Sequence, residues 1–313
     1  MSNLSRTNIV KNNEMLLDIG SVERETGIGK DALRVWERRY GFPAPVRDEH
    51  DERLYPQDQV ERLRLIKRLL VNGMRPSKVV SLELADLSAL LSPVAGSASQ
   101  HNVEVLNLLK LIKENQAPAL RVALSRALLQ QGLLDYLSKT IAPLNILVGE
   151  AWMRGEIRVF EEHLYSEQIT SVLRTAIATM RDANGTPRVL LTTLPGEEHS
   201  LGLLMAEATL CMSGASCVML GVQTPTPEIV AAAQAHRSDI VVLSFSASAT
   251  PVLVKSGLQQ TRQALPKEIE LWAGGAGVAR QRNSEQGVRL MGPISDLVEA
   301  VKAWRDTRGA PAA

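Results

Sequence analysis

The segment whose residue types could most directly do chemistry is a histidine that follows two acidic residues and precedes a glycine. Glu197 lies two residues before His199, and Gly202 lies three residues after it. A carboxylate that holds one imidazole nitrogen fixes the tautomer and leaves the other nitrogen free to bind a metal ion. Alone, this spacing also describes an ordinary polar loop histidine, so the structural surroundings must decide between the two interpretations.

A tryptophan followed by a Glu-His pair forms a second group of candidate residues. Nine residues separate Trp152 from Glu162, and His163 follows directly. An indole ring can stack on a ligand, and a carboxylate can accept hydrogen bonds from hydroxyl groups. The alternatives are a tryptophan in a helical core and a Glu-His pair on a helix surface.

A third group is cationic and lies near the start of the chain. Ile28, Leu33 and Trp36 can pack one face of a helix against a core. The cations left on its outer face are Lys30, Arg34, Arg38 and Arg39. With a tight turn at Gly27 before it, this pattern predicts a helix-turn-helix whose second helix reads DNA. A solvated helical face is the alternative.

Short apolar runs rich in Val, Leu and Ile alternate with helical stretches after residue 185. The predicted strands are 189–193, 216–220, 240–244, 270–273 and 288–291, and the predicted helices are 200–213, 227–236, 252–265 and 294–305. This alternation predicts an α/β doubly wound parallel sheet of Rossmann-like type. His199 then follows the first strand, at the edge where such sheets bind ligands.

Polar segments divide the 313 residues into three modules. We predict a disordered tail at 1–15, an all-α winged helix-turn-helix domain at 16–84, a linker at 85–101, a four-helix bundle at 102–184, the α/β domain at 185–306 and a tail at 307–313. Helical spacing of the apolar residues in 103–181 carries the bundle prediction. The expected fold is therefore multidomain.

Bulk composition narrows the functional classes. The net charge is only +1, so DNA binding requires a local basic surface. Two cysteines do not make a disulfide framework and fit a reducing compartment. No apolar run approaches the roughly 18 residues that a membrane helix needs. We therefore expect a cytoplasmic protein with no membrane partner.

The N-terminal pattern resembles the MerR family of transcriptional regulators. The matching motifs are Ile19-Gly20, Thr26-Gly27, Leu33-Arg34, Trp36-Glu37-Arg38 and Arg53-Leu54-Tyr55. The resemblance implies operator DNA as a partner, contacted by Arg34, Arg38 and Arg39. It also puts Arg53 and Tyr55 in the wing. The acidic loop 48–52 departs from the family pattern, because acids beside phosphates weaken binding.

The C-terminal pattern resembles the cobalamin-binding module of methionine synthase and corrinoid proteins. After the Glu-x-His-x-x-Gly motif come Ser244-Phe-Ser246 and Gly274-Gly275. By this resemblance, His199 is the lower axial ligand of cobalt and Glu197 orients it. The residues implied to line a slot for the nucleotide tail are Gly202, Ser244, Ser246, Gly274 and Gly275.

The Trp152 to Glu162-His163 spacing resembles cobalamin-dependent photoreceptor regulators of the CarH/LitR type. That likeness implies adenosylcobalamin capped by Trp152, Glu162 and His163, and a repressor that forms a homo-oligomer, a dimer or tetramer, in the dark. Light would break the cobalt–carbon bond. Met153 stands where those regulators have a histidine, which leaves a light-independent corrinoid or redox sensor as the alternative function.

Two other functions, a corrinoid enzyme component and a degenerate dimerisation module, fit the sequence less well than a regulator does. A corrinoid enzyme component would not need a fused MerR-like module, and no substrate-barrel sequence is present, so we expect no enzymatic activity. A degenerate module that only dimerises would not need His199, the glycines and the Trp–Glu–His set.

Overall fold

Two compact units make up this computed structural model, which describes residues 9–11, 14–71, 74–91, 103–280 and 286–308. The first unit comprises the described residues within Met1–Ser99 together with Gly149–Val159, and the second comprises those within Gln100–Val148 and Phe160–Ala313. Most of the predicted linker and the end of the C-terminal tail lie outside the described residues.

The N-terminal module combines helices with a small antiparallel sheet. Its helices are α1 (Ile19–Thr26), α2 (Lys30–Tyr40), α3 (Gln57–Val71), α4 (Pro76–Val79) and α5 (Leu84–Leu91). Its strands are β1 (Ile9–Lys11), β2 (Glu14–Asp18), β3 (Val46–Arg47) and β4 (Arg53–Pro56), paired in the order β1-β2-β4-β3.

Local chemistry explains how the helix-turn-helix forms. The Asp18 carboxylate caps α1 by accepting hydrogen bonds from the amides of Gly20 and Ser21, at 2.7 and 2.9 Å. Gly27 ends the helix at φ 65°, a left-handed conformation that glycine adopts without strain. Leu33 and Trp36 then turn one face of α2 into the core of the module.

The structure differs from the sequence expectations at three places in this module. Strands β1 and β2 include residues within 1–15, where disorder was expected. The sheet adds strands to a region that was predicted as helical. Helix α5 continues to Leu91, into the stretch 85–101 that was expected to be linker. Pairing with the distant β4 stabilises β2, and such long-range pairing leaves little trace in local composition.

Four helical segments follow, in the region where the sequence predicts a four-helix bundle. They are α6 (Val103–Lys113), α7 (Ala117–Gln131), a continuous segment from α8 (Leu133–Asp135) through a π-helical turn (Tyr136–Ile141) into α9 (Ala142–Arg154), and α10 (Val159–Met180). Buried apolar residues recur at helical spacing along α6 and α10, which explains why the pattern was readable.

The C-terminal module is a parallel five-stranded sheet with helices on both faces. Its strands are β5 (Arg188–Thr192), β6 (Ser216–Gly221), β7 (Ile240–Ser244), β8 (Glu270–Gly274) and β9 (Val288–Leu290), in the order β6-β5-β7-β8-β9. Its helices are α11 (Leu201–Met212), α12 (Thr226–Ala235), α13 (Pro251–Ala264) and α14 (Asp296–Arg308).

Two apolar cores lie on opposite faces of this sheet. One contains Leu190 and Val241 with residues of α12 and α13, such as Ile229 and Val254. The other contains Val189 and Val242 with residues of α11 and α14. Because neighbouring strand residues point to opposite faces, both faces are buried and the fold is doubly wound. This confirms the predicted α/β class. Within the described residues, no helix is long and apolar enough to cross a membrane.

Candidate functional site

His199 lies in the loop that joins β5 to α11, at the carboxyl edge of the parallel sheet. The strands on one side of β5 also end here, because Ser244 closes β7 and pairs in register with Gly274 at the end of β8. Loops that follow neighbouring parallel strands converge at one edge, which is the usual ligand-binding crevice of such folds. The structure therefore brings together the candidates of the C-terminal motif.

The Glu197 carboxylate is the buried centre of this loop cluster. One oxygen accepts the backbone amide of His199 at 3.0 Å and contacts the Nδ1 atom of its imidazole at 2.7 Å. The other oxygen accepts the amide and the hydroxyl of Ser246, at 2.8 and 2.9 Å. Glu197 is only 2% exposed, whereas 60% of the His199 side chain is exposed. The imidazole is thus fixed at Nδ1 and open on its other side.

Glu197 and His199 each stabilise the charged form of the other. Burial opposes ionisation of Glu197, but the hydrogen bonds from His199 and Ser246 outweigh it and hold the pKa of Glu197 below its usual value. The hydrogen bond to Glu197 raises the pKa of His199, and the carboxylates of Glu162 and Glu198 add to that rise. A more basic imidazole is a stronger metal ligand, although a proton also competes for it more strongly.

Glycines are required at two places along this edge, for different structural reasons. A Cβ atom on Gly202 would lie 2.9 Å from the Ser244 hydroxyl oxygen, so the start of α11 approaches the end of β7 closely. Gly275 has φ +100°, and a Cβ atom there would lie 2.3 Å from the carbonyl oxygen of Phe245. Packing within the protein already requires a glycine at 275, whereas a Cβ atom on Gly274 would be in ordinary contact with the Cβ atom of Met291, at 3.4 Å.

Glu162 and His163 lie in the first turn of α10. The two carboxylate oxygens of Glu162 contact the Ser166 hydroxyl at 2.6 Å and the Nδ1 atom of His163 at 2.9 Å. His163 is largely exposed, at 72% of its side chain. These two contacts hold the Glu162 carboxylate in one orientation. Its charge also acts on the candidate ligand, because Glu162 contributes to the raised pKa of His199.

Trp152 lies near the end of α9 and is half-buried. It belongs to the residues 149–159 that cluster with the first compact unit, whereas Glu162 and His163 belong to the second. The predicted joint cap of these three residues therefore stays a prediction. The backbone of Met153 continues the same helix.

Helix α2 presents the predicted DNA-contacting cations on its exposed face. Arg34, Arg38 and Arg39 are exposed, while Leu33 and Trp36 are buried. Lys30 lies 3.7 Å from Glu23, and Arg34 lies 3.2 Å from Asp31. In the part of the chain that the structure describes, Arg38 and Arg39 have no carboxylate within ion-pair distance. These two guanidinium groups are the most available to a phosphate.

The acidic wing loop is largely occupied with its own structure. The Asp48 carboxylate accepts the amides of His50 and Glu52, at 2.9 and 2.8 Å, which closes the turn. Asp51 pairs with Arg47 at 2.8 Å. Asp48 and Asp51, two of the acids that depart from the MerR pattern, therefore stabilise the wing between β3 and β4. Asp51 also neutralises Arg47, which was not among the residues predicted to contact DNA.

The predicted wing residues lie on β4 but differ in exposure. Arg53 donates from Nε to Glu37 at 2.8 Å, which joins the wing to the recognition helix. Tyr55 is fully buried in the core of the module, and its hydroxyl group has no hydrogen-bond partner among the described residues. That burial favours a supporting role in the wing, and the predicted DNA contact of Tyr55 stays a prediction.

Three cations of α3 are engaged inside the module. Arg64 pairs with Glu25, and Lys67 donates to the carbonyl oxygen of Gly27 at 2.8 Å. Arg62 stacks over the Phe42 ring at 4.0 Å. These side chains hold the helix-turn-helix together and are not free to contact DNA in the way that the exposed cations of α2 are.

Comparison with known proteins decides the family. The model of the MerR HTH family regulatory protein matches residues 17–83, and that of the B12 binding domain matches residues 187–302. The HTH-type transcriptional repressor CarH of Myxococcus xanthus is 30% identical over 80% of this chain and 85% of its own length. The chain belongs to the CarH/CarA family of transcriptional regulators.

Further matches agree with this CarH/CarA assignment. The HTH-type transcriptional repressor CarA of Myxococcus xanthus is 30% identical over 95% of this chain and 99% of its own length. The monomethylamine corrinoid protein of Methanosarcina barkeri has the same fold over 63% of this chain and 96% of its own, with a TM-score of 0.52 at 19% identity. The chain is therefore a DNA-binding regulator with a MerR-type module and a B12-binding domain.

The residues of this CarH/CarA-family chain fit a corrinoid. The donor is suitable, because Glu197 holds Nδ1 of His199 and leaves Nε2 directed away from the carboxylate. Small residues also border this edge, because Ser244 pairs with Gly274 there and a side chain at Gly202 would collide with Ser244. His199 would hold the metal, and the small residues at the ends of β7 and β8 would leave space for the nucleotide tail.

Two features of this site were not predicted from the sequence. The hydroxyl and amide of Ser246 hold Glu197, while the predicted place of Ser246 in the slot stays a prediction. Gly277 also belongs to the site, because a Cβ atom there would lie 2.6 Å from the carbonyl oxygen of Ser246. The Gly-Gly-Ala-Gly sequence at 274–277 was the available signal for that close approach.

Proposed function

We propose that this chain is a transcriptional repressor, not an enzyme, that uses adenosylcobalamin as a light-sensing chromophore. The observation that carries the proposal is the buried Glu197 carboxylate, which fixes the His199 imidazole at the ligand-binding edge of a B12-binding domain. A regulator of this kind needs a fixed cofactor site in one module and a phosphate-binding surface in another.

In this proposal, each residue of the lower site has a defined task. His199 would hold the cobalt of the corrinoid from below, and Glu197 would fix the tautomer and the orientation of its imidazole. Ser246 holds Glu197 in place, while Gly202, Ser244, Gly274 and Gly275 border the space for the nucleotide tail. The pre-formed hydrogen bonds around Glu197 favour a site that exists before the cofactor arrives.

The upper side of the site is assigned to Trp152, Glu162 and His163. When bound, adenosylcobalamin would supply a cobalt–carbon bond that visible light breaks. Trp152 would pack on the upper ligand, and Glu162 would accept hydrogen bonds from the hydroxyl groups of that ligand. Support comes from Glu162, whose carboxylate is held by Ser166 and influences His199.

The output of the proposed repressor is a change of assembly on operator DNA. Lys30, Arg34, Arg38 and Arg39 would contact phosphates and bases from α2, with Arg53 in the wing. A homo-oligomer, a dimer or tetramer, would bind the operator in the dark. Linkage requires that the cofactor bind the oligomer more tightly than the monomer, since otherwise its loss could not shift the equilibrium.

Size-exclusion chromatography of the cobalamin-loaded protein, in the dark and after green light, tests this function. The proposal expects a larger dark assembly, with Trp152→Ala retaining the cofactor but eluting identically in both conditions. Equal elution of the wild-type protein, with the cofactor bound and photolysed, contradicts the light switch. That outcome would favour a light-independent corrinoid or redox sensor, which the methionine at position 153 already suggests.

A further inference from the structure

The Thr193 hydroxyl joins two loops at the ligand-binding edge of the sheet. Thr193 is fully buried and directly follows the last residue of β5, so it opens the loop that carries His199. Its hydroxyl donates to the main-chain carbonyl oxygen of Glu197 at 2.6 Å and accepts the amide of Gln223 at 2.9 Å. Gln223 lies in the loop between β6 and α12. One side chain thus links the loop of His199 to the loop that follows the neighbouring strand.

Glu197 is therefore held by its side chain and by its backbone. Its carboxylate accepts two hydrogen bonds from Ser246, in the loop that follows β7. Its carbonyl oxygen is held by Thr193, which is itself fixed by the loop that follows β6. Since β5 lies between β6 and β7 in the sheet, Glu197 is tied to the strand ends on both sides. The carboxylate that contacts His199 thus belongs to a residue with little freedom to move.

The backbone at Gln223 shows that this link is kept against a local conformational cost. Gln223 has φ +60°, a left-handed conformation that residues with a side chain adopt rarely and that the surrounding contacts must hold in place. Thr193 supplies two of these contacts, because its hydroxyl accepts the Gln223 amide and its carbonyl oxygen accepts the Thr224 amide, each at 2.9 Å. The Gln223 side chain adds only long contacts of 3.4 Å to the amide of Gly196 and to Glu198. The backbone amides therefore carry the link.

We propose that Thr193 is a positioning residue for the cobalamin site, through which the loop after β6 fixes the orientation of the His199 imidazole. This inference rests on the proposed function, in which His199 holds cobalt from below. A valine at position 193 would have nearly the same shape but would leave the Glu197 carbonyl oxygen and the Gln223 amide without their buried partner. Glu197 could then shift, and the imidazole would follow, because its Nδ1 atom contacts the Glu197 carboxylate at 2.7 Å.

The preceding residue, Thr192, provides a matched control for this role. Thr192 is also fully buried. Its hydroxyl lies 2.7 Å from that of Thr224 and 2.9 Å from the carbonyl oxygen of Gly221. Both partners belong to β6 or to the loop after it, whereas the Thr193 hydroxyl reaches Glu197. Thr192→Val and Thr193→Val therefore remove the same chemical group from adjacent buried positions, and they differ in the link to the loop of His199.

Hydrogen exchange followed by mass spectrometry tests the link in the full-length protein without cobalamin. The reporting amides are those of Glu197 and His199, which donate to the Leu194 carbonyl oxygen and to the Glu197 carboxylate. Thr193→Val should make them exchange about tenfold faster, because the loop loses a buried hydrogen-bond partner. Thr192→Val should leave their exchange unchanged, and Thr193→Ser, which keeps the hydroxyl, should match the wild type. If Thr193→Val does not fold, Thr193→Ala removes the same hydroxyl group.

Absorption of the cobalamin-loaded protein gives the second readout. Thr193→Val should bind cobalamin about tenfold more weakly, with a larger fraction lacking a lower nitrogen ligand, while Thr192→Val should keep the wild-type spectrum. The proposal is overturned if Thr193→Val matches the wild type in either readout, or if Thr192→Val shows the same changes. A wild-type spectrum without a lower imidazole would instead contradict the proposed role of His199, and the exchange measurement would still decide whether Thr193 holds the loop.

Discussion

In the N-terminal module, the carboxylates that pair with Lys30 and Arg34 of α2 are exposed, and each engages one cation. Asp31, which pairs with Arg34, is 96% exposed, and Glu23, which pairs with Lys30, is 41% exposed. In the C-terminal module, Glu197 is 2% exposed and is held by two backbone amides, a hydroxyl group and an imidazole nitrogen. The same chemical group therefore works in two opposite settings.

This difference indicates how each surface binds its partner. An exposed ion pair contributes about 0–1 kcal/mol, so a phosphate can take the place of the carboxylate at little cost. A buried carboxylate with four contacts cannot be exchanged and instead fixes the group beside it. We infer that the DNA surface binds by exchange of partners, whereas the corrinoid site is organised in advance.

The largest expected effect follows from removing the exposed arginines of α2. Replacing Arg34, Arg38 and Arg39 together by alanine should weaken DNA binding at least about a hundredfold, since each lost charge or base contact costs roughly 1–3 kcal/mol. Gel shifts with a DNA fragment selected from a random library provide the measurement. Corrinoid absorption should be unchanged, and a triple variant with normal gel shifts would refute the assignment of α2.

A somewhat smaller effect is expected from loosening the organised site. Glu197→Gln should weaken corrinoid binding by about 10–100-fold, because the group that orients the proposed cobalt ligand His199 loses its charge. Glu198→Gln is the matched control, since Glu198 is exposed and contacts only Gln223, at 3.4 Å, among the described residues. Titration followed by absorbance gives both affinities. Equal losses in the two variants would show that general charge, and not orientation, matters.

The smallest expected effect shows whether Glu37 competes with DNA for Arg53 or positions Arg53 in the wing. Glu37→Gln frees Arg53 and removes a negative charge near the DNA, so binding should tighten by up to about fivefold, the equivalent of 1 kcal/mol. Glu114→Gln removes the same charge from an exposed pair with Lys110 in the helical segment and should change nothing. Filter binding at low salt can resolve this difference. Weaker binding by Glu37→Gln would mean that the pair positions Arg53.

The α/β module was readable from sequence because its strands are buried on both faces. Such strands appear as uninterrupted apolar runs, and the prediction of 240–244 coincides with β7. The N-terminal sheet was not readable, because β3 has two residues and a period of two needs more. Its pairing partners are also distant along the chain, so no local pattern records them.

The candidate site was predictable in its residue types and not in its contacts. The Glu-x-His spacing predicts the contact between Glu197 and His199, since side chains two residues apart in one loop can form a hydrogen bond. The contact between Ser246 and Glu197 spans 49 residues and depends on which strands are neighbours in the sheet. In the same way, sequence could not show that Arg53 is paired with Glu37 or that Tyr55 is buried.

The absorption spectrum of the His199→Ala variant with cobalamin tests the central claim most directly. If His199 is the lower ligand of cobalt, the wild-type protein should show a spectrum with an imidazole bound from below. The variant should instead show a spectrum without a lower nitrogen ligand, and its affinity should be reduced. His163→Ala serves as the matched control and should keep the lower ligand. An unchanged spectrum and unchanged affinity in His199→Ala would contradict the account.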